Sequence, residues 1–249
     1  MGGFETIIYE RNGNIGYVTL NRPRVLNAYS VQMRDDLYEI LTAIKLDDEI
    51  RVVIFKGAGE KAFCAGADLS EFLTAPSVVK ARQIRLLRDL WGLFRSMPQP
   101  LIAALHGYVL GSGMEIALFC DIRIAAENVI FGLPEMGLGI IPGAGGTQTL
   151  PRVIGLSRSL DMLLTNRRLD AQEALDSGLV SRVVPKDRLL ETAEEVARKI
   201  ASFNVMSVRN AKQAVLQGLD LTLQQGLELE RRLAMSTKIT GDPTATNKG

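Results

Sequence analysis

Two short, mostly apolar runs open the chain, and a helical period follows soon afterwards. Thr6 to Tyr9 and Ile15 to Leu20 read as two strands joined through the turn Asn12-Gly13-Asn14. Asn21-Arg22-Pro23 breaks that pattern. Ser30 then stands where a helix cap belongs, and Met33, Leu37, Ile40, Leu41 and Ile44 share one face behind it. Val52 to Phe55 is wholly apolar, as a strand covered on both faces is. Val79 to Ser96 predicts a long amphipathic helix: Ile84, Leu87, Trp91 and Phe94 lie inward, opposite a basic stripe of Lys80, Arg82, Arg85 and Arg88. Pro98 and Pro100 stop it. Leu101 to Leu105 reads as a strand, followed by a turn with Gly107, Gly111 and Gly113. An apolar segment, Met114 to Cys120, comes next, then a strand from Ile122 to Ala126. Thr147 to Arg152 begins another helix, Asp170 caps the segment AQEALDSG, Gly178 ends it, and Val180 to Val184 is a last short strand. Beyond Arg188 the pattern is helical, over Leu189 to Ala201, Val205 to Leu216 and Leu221 to Thr237. The expected division is therefore a strand–helix body over 1–190 and a helical end over 191–249.

Composition narrows the chemistry. Apolar residues at 47% and charged residues at 23% are those of an ordinary globular protein. The formal charge of +1 makes no global case for nucleic acid or an anionic membrane. No apolar run reaches the roughly eighteen residues a membrane span needs, and the first residues lack the basic start of a secretory signal. The cytoplasm is the default location, and the mitochondrial matrix would require a transit segment already removed. Cys64 and Cys120 stand far apart, and His106 is the only histidine. Neither a Cys/His metal site nor a histidine-based nucleophile is supported. His106, at the end of an apolar strand, reads as a structural residue.

Within the stretch from Pro100 to Gly146 two glutamates, Glu115 and Glu135, sit twenty residues apart in mostly apolar and glycine-rich surroundings. A carboxylate buried without partners is costly, and burial raises its pKa. Two readings of Glu115 stand side by side: the partner of Ser112 in an S-x-x-E capping box, or an acid at work. Glu135 alone reads as a loop acid. Glycines, a helix start and two acids together point to a site, because free N–H groups at a helix start attract negative charge. The segment GAGEKA (57–62) fits a G-x-G-x-x-A pattern. A small-residue run follows it rather than a helix, which argues against a dinucleotide site.

Five segments together resemble one known family: NRPRVLNA (21–28), FCAGADLSE (63–71), GYVLGSGMEIALFCD (107–121), FGLPEMGLGIIPGAGGTQTLPR (131–152) and LDAQEALDSGLVSRVV (169–184). The chain looks like an enoyl-CoA hydratase of the crotonase superfamily. That resemblance implies an α/β fold, a spiral of ββα repeats with a C-terminal helical region that mediates trimers, assembled as a homotrimer or a homo-hexamer of two trimers. It implies an acyl-CoA thioester substrate, with coenzyme A entering as part of that substrate and no separate cofactor or metal. Glu115 and Glu135 match the two catalytic glutamates. Ala67 and Ser112 match the backbone N–H donors of the oxyanion hole; most members carry glycine at the second position. Arg24, Val25, Ala65, Ala67, Asp68, Leu69 and Ser112 match substrate- and CoA-binding positions. Met114, Phe72, Leu73 and Trp91 are candidates for the acyl pocket and equally for core packing. Relatives that isomerise enoyl-CoA or bind AU-rich RNA supply the alternatives, the latter resting on the Lys80–Arg88 stripe. The end at Gly249 is short beside the family's usual helical tail.

Overall fold

The computed structural model describes residues 4–74 and 88–237, with the backbone alone at 72–74. Strand β1 (Ile7–Asn12) turns directly into β2 (Ile15–Leu20) through Gly13 and Asn14, antiparallel and in register from Ile7↔Leu20 to Asn12↔Ile15. The turn is thus one residue tighter than the sequence pattern implied. Gly13 has φ +58, which suits a two-residue hairpin loop.

From there the chain winds. Strands β3 (Val52–Gly57), β5 (Leu101–Leu105) and β7 (Ile122–Ala126) add in parallel to β2, and β9 (Arg182–Val184) completes the order β1-β2-β3-β5-β7-β9. After each of the first three, a short strand leaves for a second sheet: β4 (Ala62–Cys64), β6 (Tyr108–Leu110) and β8 (Ile130–Gly132), parallel and in the order β4-β6-β8. Helix α2 (Leu69–Thr74) follows β4 and α4 (Ser112–Phe119) follows β6. A 3₁₀ turn (Pro134–Leu138) and then α5 (Gly146–Ile154) follow β8. Each turn of the spiral thus leaves one strand in each sheet and a helical segment beyond.

The wholly apolar strands follow from this layering. Val53, Phe55, Leu101, Ala103 and Leu105 point into the main core, which also takes Met33, Leu37 and Leu41 of α1 (Val31–Leu46). Val52, Ile54, Ile102 and Ala104 point to the opposite face and meet Leu189, Ala193 and Ala197 of α8 (Leu189–Ala201). Strand side chains alternate between faces, so both sets must be apolar when both faces are covered. Ser30 caps α1 as expected, accepting from Met33 N–H at 3.1 Å.

Two boundaries move. The helix expected over 79–96 lies partly outside the described residues, and its described part is α3 (Leu90–Arg95). Asp89 caps that helix by accepting from Gly92 N–H at 2.8 Å, so it starts at Leu90. Residue 190 falls inside the first turn of α8, which belongs to the body. The helices that leave it are α9 (Val205–Gly218) and α10 (Leu223–Ser236). Between β8 and β9, α6 (Leu156–Thr165) and α7 (Ala171–Asp176) follow α5, and Asp170 with Glu173 forms a complete capping box on α7.

Candidate active site

The site forms where the loop after β4 meets the loop after β6. Gly66 and Gly111 have φ +108 and +49, which L side chains rarely adopt. They touch: a Cβ built on Gly111 would lie 3.4 Å from Gly66 Cα, and one on Gly66 would lie 3.4 Å from Leu110 O. The residues after these glycines, Ala67 and Ser112, are therefore neighbours. Among the described residues neither N–H has a hydrogen-bond acceptor, whereas Ala65 and Asp68 N–H donate to Leu26 O and Tyr29 O. Ser112 opens α4, where helical N–H groups have no partner within the helix.

Glu115 sits one turn into α4 and is 2% exposed. The capping-box reading fails here. The N-cap of α4 is Gly111 and not Ser112, and no side chain caps that helix. Glu115 Oε1 instead reaches across to α5 and accepts from Ala144 N–H and Gly146 N–H, each at 2.9 Å. The start of α5 favours negative charge at that point. Gly146 permits the approach, because a Cβ there would stand 3.1 Å from Glu115 Oε1 and 2.8 Å from Pro142 Cβ.

Glu135 comes from the 3₁₀ turn and packs on the N-cap of α4. Its Oε1 would lie 3.0 Å from a Cβ on Gly111, and its Oε2 is buried with no partner among the described residues. Burial pushes its carboxyl above the ordinary Glu range, and a hydrogen bond to its own backbone pulls the other way. Both acids thus border the start of α4 in different surroundings: one carboxylate held by two N–H donors, the other kept in a weakly solvated place.

An aromatic wall stands beside them. Phe119 is four residues after Glu115 on α4 and so shares its side of the helix. Its ring would lie 2.9 Å from a Cβ on Gly145, next to the peptide that holds Glu115. Trp91 packs on Phe119 (centroids 5.5 Å apart), on Phe94 (6.2 Å) and on Tyr29 (5.9 Å). Tyr29, Trp91 and Phe119 are only partly buried. Met114, by contrast, is fully buried in the main core, so its acyl-pocket reading is withdrawn. The side chains of Phe72 and Leu73 lie outside the described residues.

The other sequence candidates separate. Ala65 and Ala67 lie on the segment that backs the site. Asp68 is committed to the protein: Oδ2 pairs with Arg22 at 2.9 Å and Oδ1 accepts from the Ser70 hydroxyl at 2.6 Å, which holds its carboxyl below the usual range. Leu69 opens α2 and is exposed. Arg24 and Val25 are exposed on the 3₁₀ turn Pro23–Val25. Arg24, with Asn27, Ala58, Glu60 and Lys61, borders a surface cavity of about 260 Å³. His106 is buried, with Nε2 3.0 Å from Gly59 O, and burial lowers its pKa; it is structural, as its position implied. The glycines of GAGEKA run from β3 into β4 without opening a helix, which disposes of a dinucleotide site there. Of the basic stripe, Lys80, Arg82 and Arg85 lie outside the described residues, and Arg88 is paired with Glu39 at 3.2 Å and Asp35 at 3.6 Å. Arg22, Phe119 and the Ala144–Gly146 peptides were not found by sequence reasoning. Only the spacing of four between Glu115 and Phe119 carried a usable signal.

Two neighbouring N–H groups can hold a developing oxyanion, and two carboxyl groups in unlike surroundings can divide acid and base work. Spiral and site together define the crotonase class of α/β proteins. The model of the enoyl-CoA hydratase/isomerase family matches residues 10–244, and the chain belongs to that family. A protein of Clostridium acetobutylicum named short-chain-enoyl-CoA hydratase is 40% identical over 90% of this chain and 86% of its own length. A probable mitochondrial enoyl-CoA hydratase of Dictyostelium discoideum is 45% identical over 96% of this chain and 85% of its own. The crystal structure of an enoyl-CoA hydratase from Bacillus anthracis superposes with a TM-score of 0.89 at 44% identity, covering 93% of this chain and 90% of that one.

Proposed function

We propose that the chain adds water across the α,β double bond of an enoyl-CoA thioester. The observation that carries this is the contrast between the two acids at the start of α4. Glu115 is oriented by Ala144 and Gly146 N–H, and Glu135 keeps a buried Oε2 and a raised pKa. Glu115 takes a proton from water as the water oxygen bonds to Cβ of the substrate. The π electrons move toward Cα and the thioester oxygen, which the Ala67 and Ser112 N–H groups stabilise. Glu135 gives its proton to Cα. The sum is one H and one OH added, with Glu115 left protonated and Glu135 ionised, and exchange with solvent restores both. No redox group, metal or cofactor beyond the substrate's own coenzyme A is needed for these steps.

Double-bond migration, the isomerase alternative, moves one proton between two carbons and uses one acid–base group. The fixed second carboxylate, Glu115, favours hydration. The test is the loss of enone absorbance when purified protein meets crotonyl-CoA. Glu115→Gln and Glu135→Gln each remove an acid–base group, with an expected loss of about 10²–10⁴ in kcat. Normal turnover by both variants overturns the assignment, and migration without hydration selects the isomerase.

A homotrimer or a hexamer of two trimers is part of the same reading. It is supported by exposed apolar side chains on and beside α9 and α10, among them Val215, Leu219, Leu223, Leu227 and Met235. Among the described residues no helix is long and apolar enough to cross a membrane. We assign the protein to the cytoplasm, with the mitochondrial matrix as the alternative; the Dictyostelium relative's name reads mitochondrial.

A further inference from the structure

Arg22 lies outside both glutamate-bearing segments, yet its side chain ends beside the Ala67 peptide. Its Nη1 donates to Ala28 O at 2.6 Å and meets Asp68 Oδ2 at 2.9 Å. The loop carrying Arg22 is itself tightly fixed. Buried Asn27 accepts from Arg22 N–H at 2.8 Å and donates to Ala58 O and Ala62 O, each at 2.9 Å. Leu26 and Asn27 both hold left-handed backbone, at φ 55 and 56. Such conformations persist only where the surroundings over-determine them. Three main-chain bonds then stitch this loop to the segment containing Ala67: Ala65 N–H to Leu26 O, Tyr29 N–H to Gly66 O, and Asp68 N–H to Tyr29 O. The ion pair adds a side-chain lock immediately after Ala67, with the Arg22 and Asp68 side chains 25% and 15% exposed.

We propose that Arg22 is a positioning residue for the reaction: through Asp68 it fixes the direction of the Ala67 N–H toward the thioester oxygen. This rests on the reading of Ala67 as an oxyanion donor. Hydrogen bonds weaken steeply off axis, and a misplacement of about 1 Å in a catalytic group can cost about 10²-fold. A pair this far withdrawn from water is screened less than a surface pair, and losing one member leaves the other uncompensated. A residue that instead bound the phosphates of coenzyme A would act on KM. A positioning residue acts on kcat.

The experiment uses the full chain and a cinnamoyl-CoA with an electron-donating para substituent, whose absorption moves to the red when its thioester carbonyl is polarised. Wild-type protein is expected to produce a clear red shift on binding. Arg22→Met is expected to bind the probe with less than half that shift. Its kcat on crotonyl-CoA should fall about 10- to 100-fold, with KM within about threefold. Arg22→Lys should restore part of both. Asp68→Asn is nearly isosteric and keeps its Ser70 contacts, so it tests the same link should Arg22→Met fail to fold. The double variant should be no worse than the poorer single one, as members of one unit are non-additive. A full red shift and wild-type kcat in Arg22→Met or Asp68→Asn overturns the inference, as does a rise in KM alone. A wild-type protein that binds the probe without any shift overturns the oxyanion reading of Ala67 as well.

Discussion

Gly111→Ala is the sharpest perturbation of the site, because one added methyl group meets two of its parts. The Gly111 backbone at φ 49, ψ −124 is one that an alanine adopts only under strain. Strain of this kind costs about 1–3 kcal/mol. For a chain near 250 residues each kcal/mol lowers Tm by about 2–4 °C, so a drop of about 2–12 °C is expected. The new Cβ would also lie 3.0 Å from Glu135 Oε1 and 3.4 Å from Gly66 Cα. The first contact is tighter than carbon and oxygen ordinarily allow. Glu135 Oε1 ends a flexible side chain, so it yields by a few tenths of an ångström at little steric cost. It yields, however, within the carboxyl group proposed to deliver a proton. The second contact presses on the residue that carries the Ala67 peptide. Loss of acid alignment is expected to cost about 10²-fold or more, well beyond the stability effect. The assay is crotonyl-CoA hydration well below the lowered Tm, with a melting curve alongside. A stable Gly111→Ala protein turning over at the wild-type rate would refute the placement of Glu135 against the N-cap of α4.

Other consequences are open to measurement. The raised Glu135 carboxyl means that the native state binds more protons than the unfolded chain between the unfolded and folded pKa values. Stability therefore declines as pH rises through that window. Glu135→Gln should flatten this decline in a plot of Tm against pH, and an unchanged slope would contradict the burial of that acid. Catalysis should likewise fall on the alkaline side as Glu135 loses its proton, read as the basic limb of kcat/KM against pH. Ser112→Gly should leave kcat within about threefold, since the proposed donor is main-chain N–H; a large loss would assign work to the hydroxyl. Phe119→Ala opens the aromatic wall and should raise kcat/KM for longer enoyl thioesters relative to crotonyl-CoA. It should also cost about 3 kcal/mol in stability, the lower end for Phe→Ala given its partial exposure. Unchanged chain-length preference would place Phe119 outside the acyl pocket.

Much of the fold was legible because its cause is local. The hairpin strand Ile15 to Leu20, the apolar run Val52 to Phe55 and the caps Ser30 and Asp170 each act within a few residues, and each appears where the pattern placed it. The helix start at Leu90 was less visible: the Asp89 carboxylate captures Gly92 N–H inside what the apolar period alone reads as one helix. The site divides in the same way. Glu115 and Glu135 stood out as acids in apolar surroundings. The true partner of Glu115 did not, since S-x-x-E at 112–115 satisfies a local rule that the backbone then ignores. Gly111, at φ 49, already occupies the cap position, and Glu115 finds Ala144 and Gly146 about thirty residues onward. Arg22 and Asp68 are a further case, forty-six positions apart and joined only because one loop of the spiral closes on the next. Long-range pairs of this sort carry no periodic signal. The close approach of Gly66 and Gly111 is thus a property of how the turns of the spiral stack, and under the positioning role proposed for Arg22 the chemistry depends on a residue that never approaches the thioester.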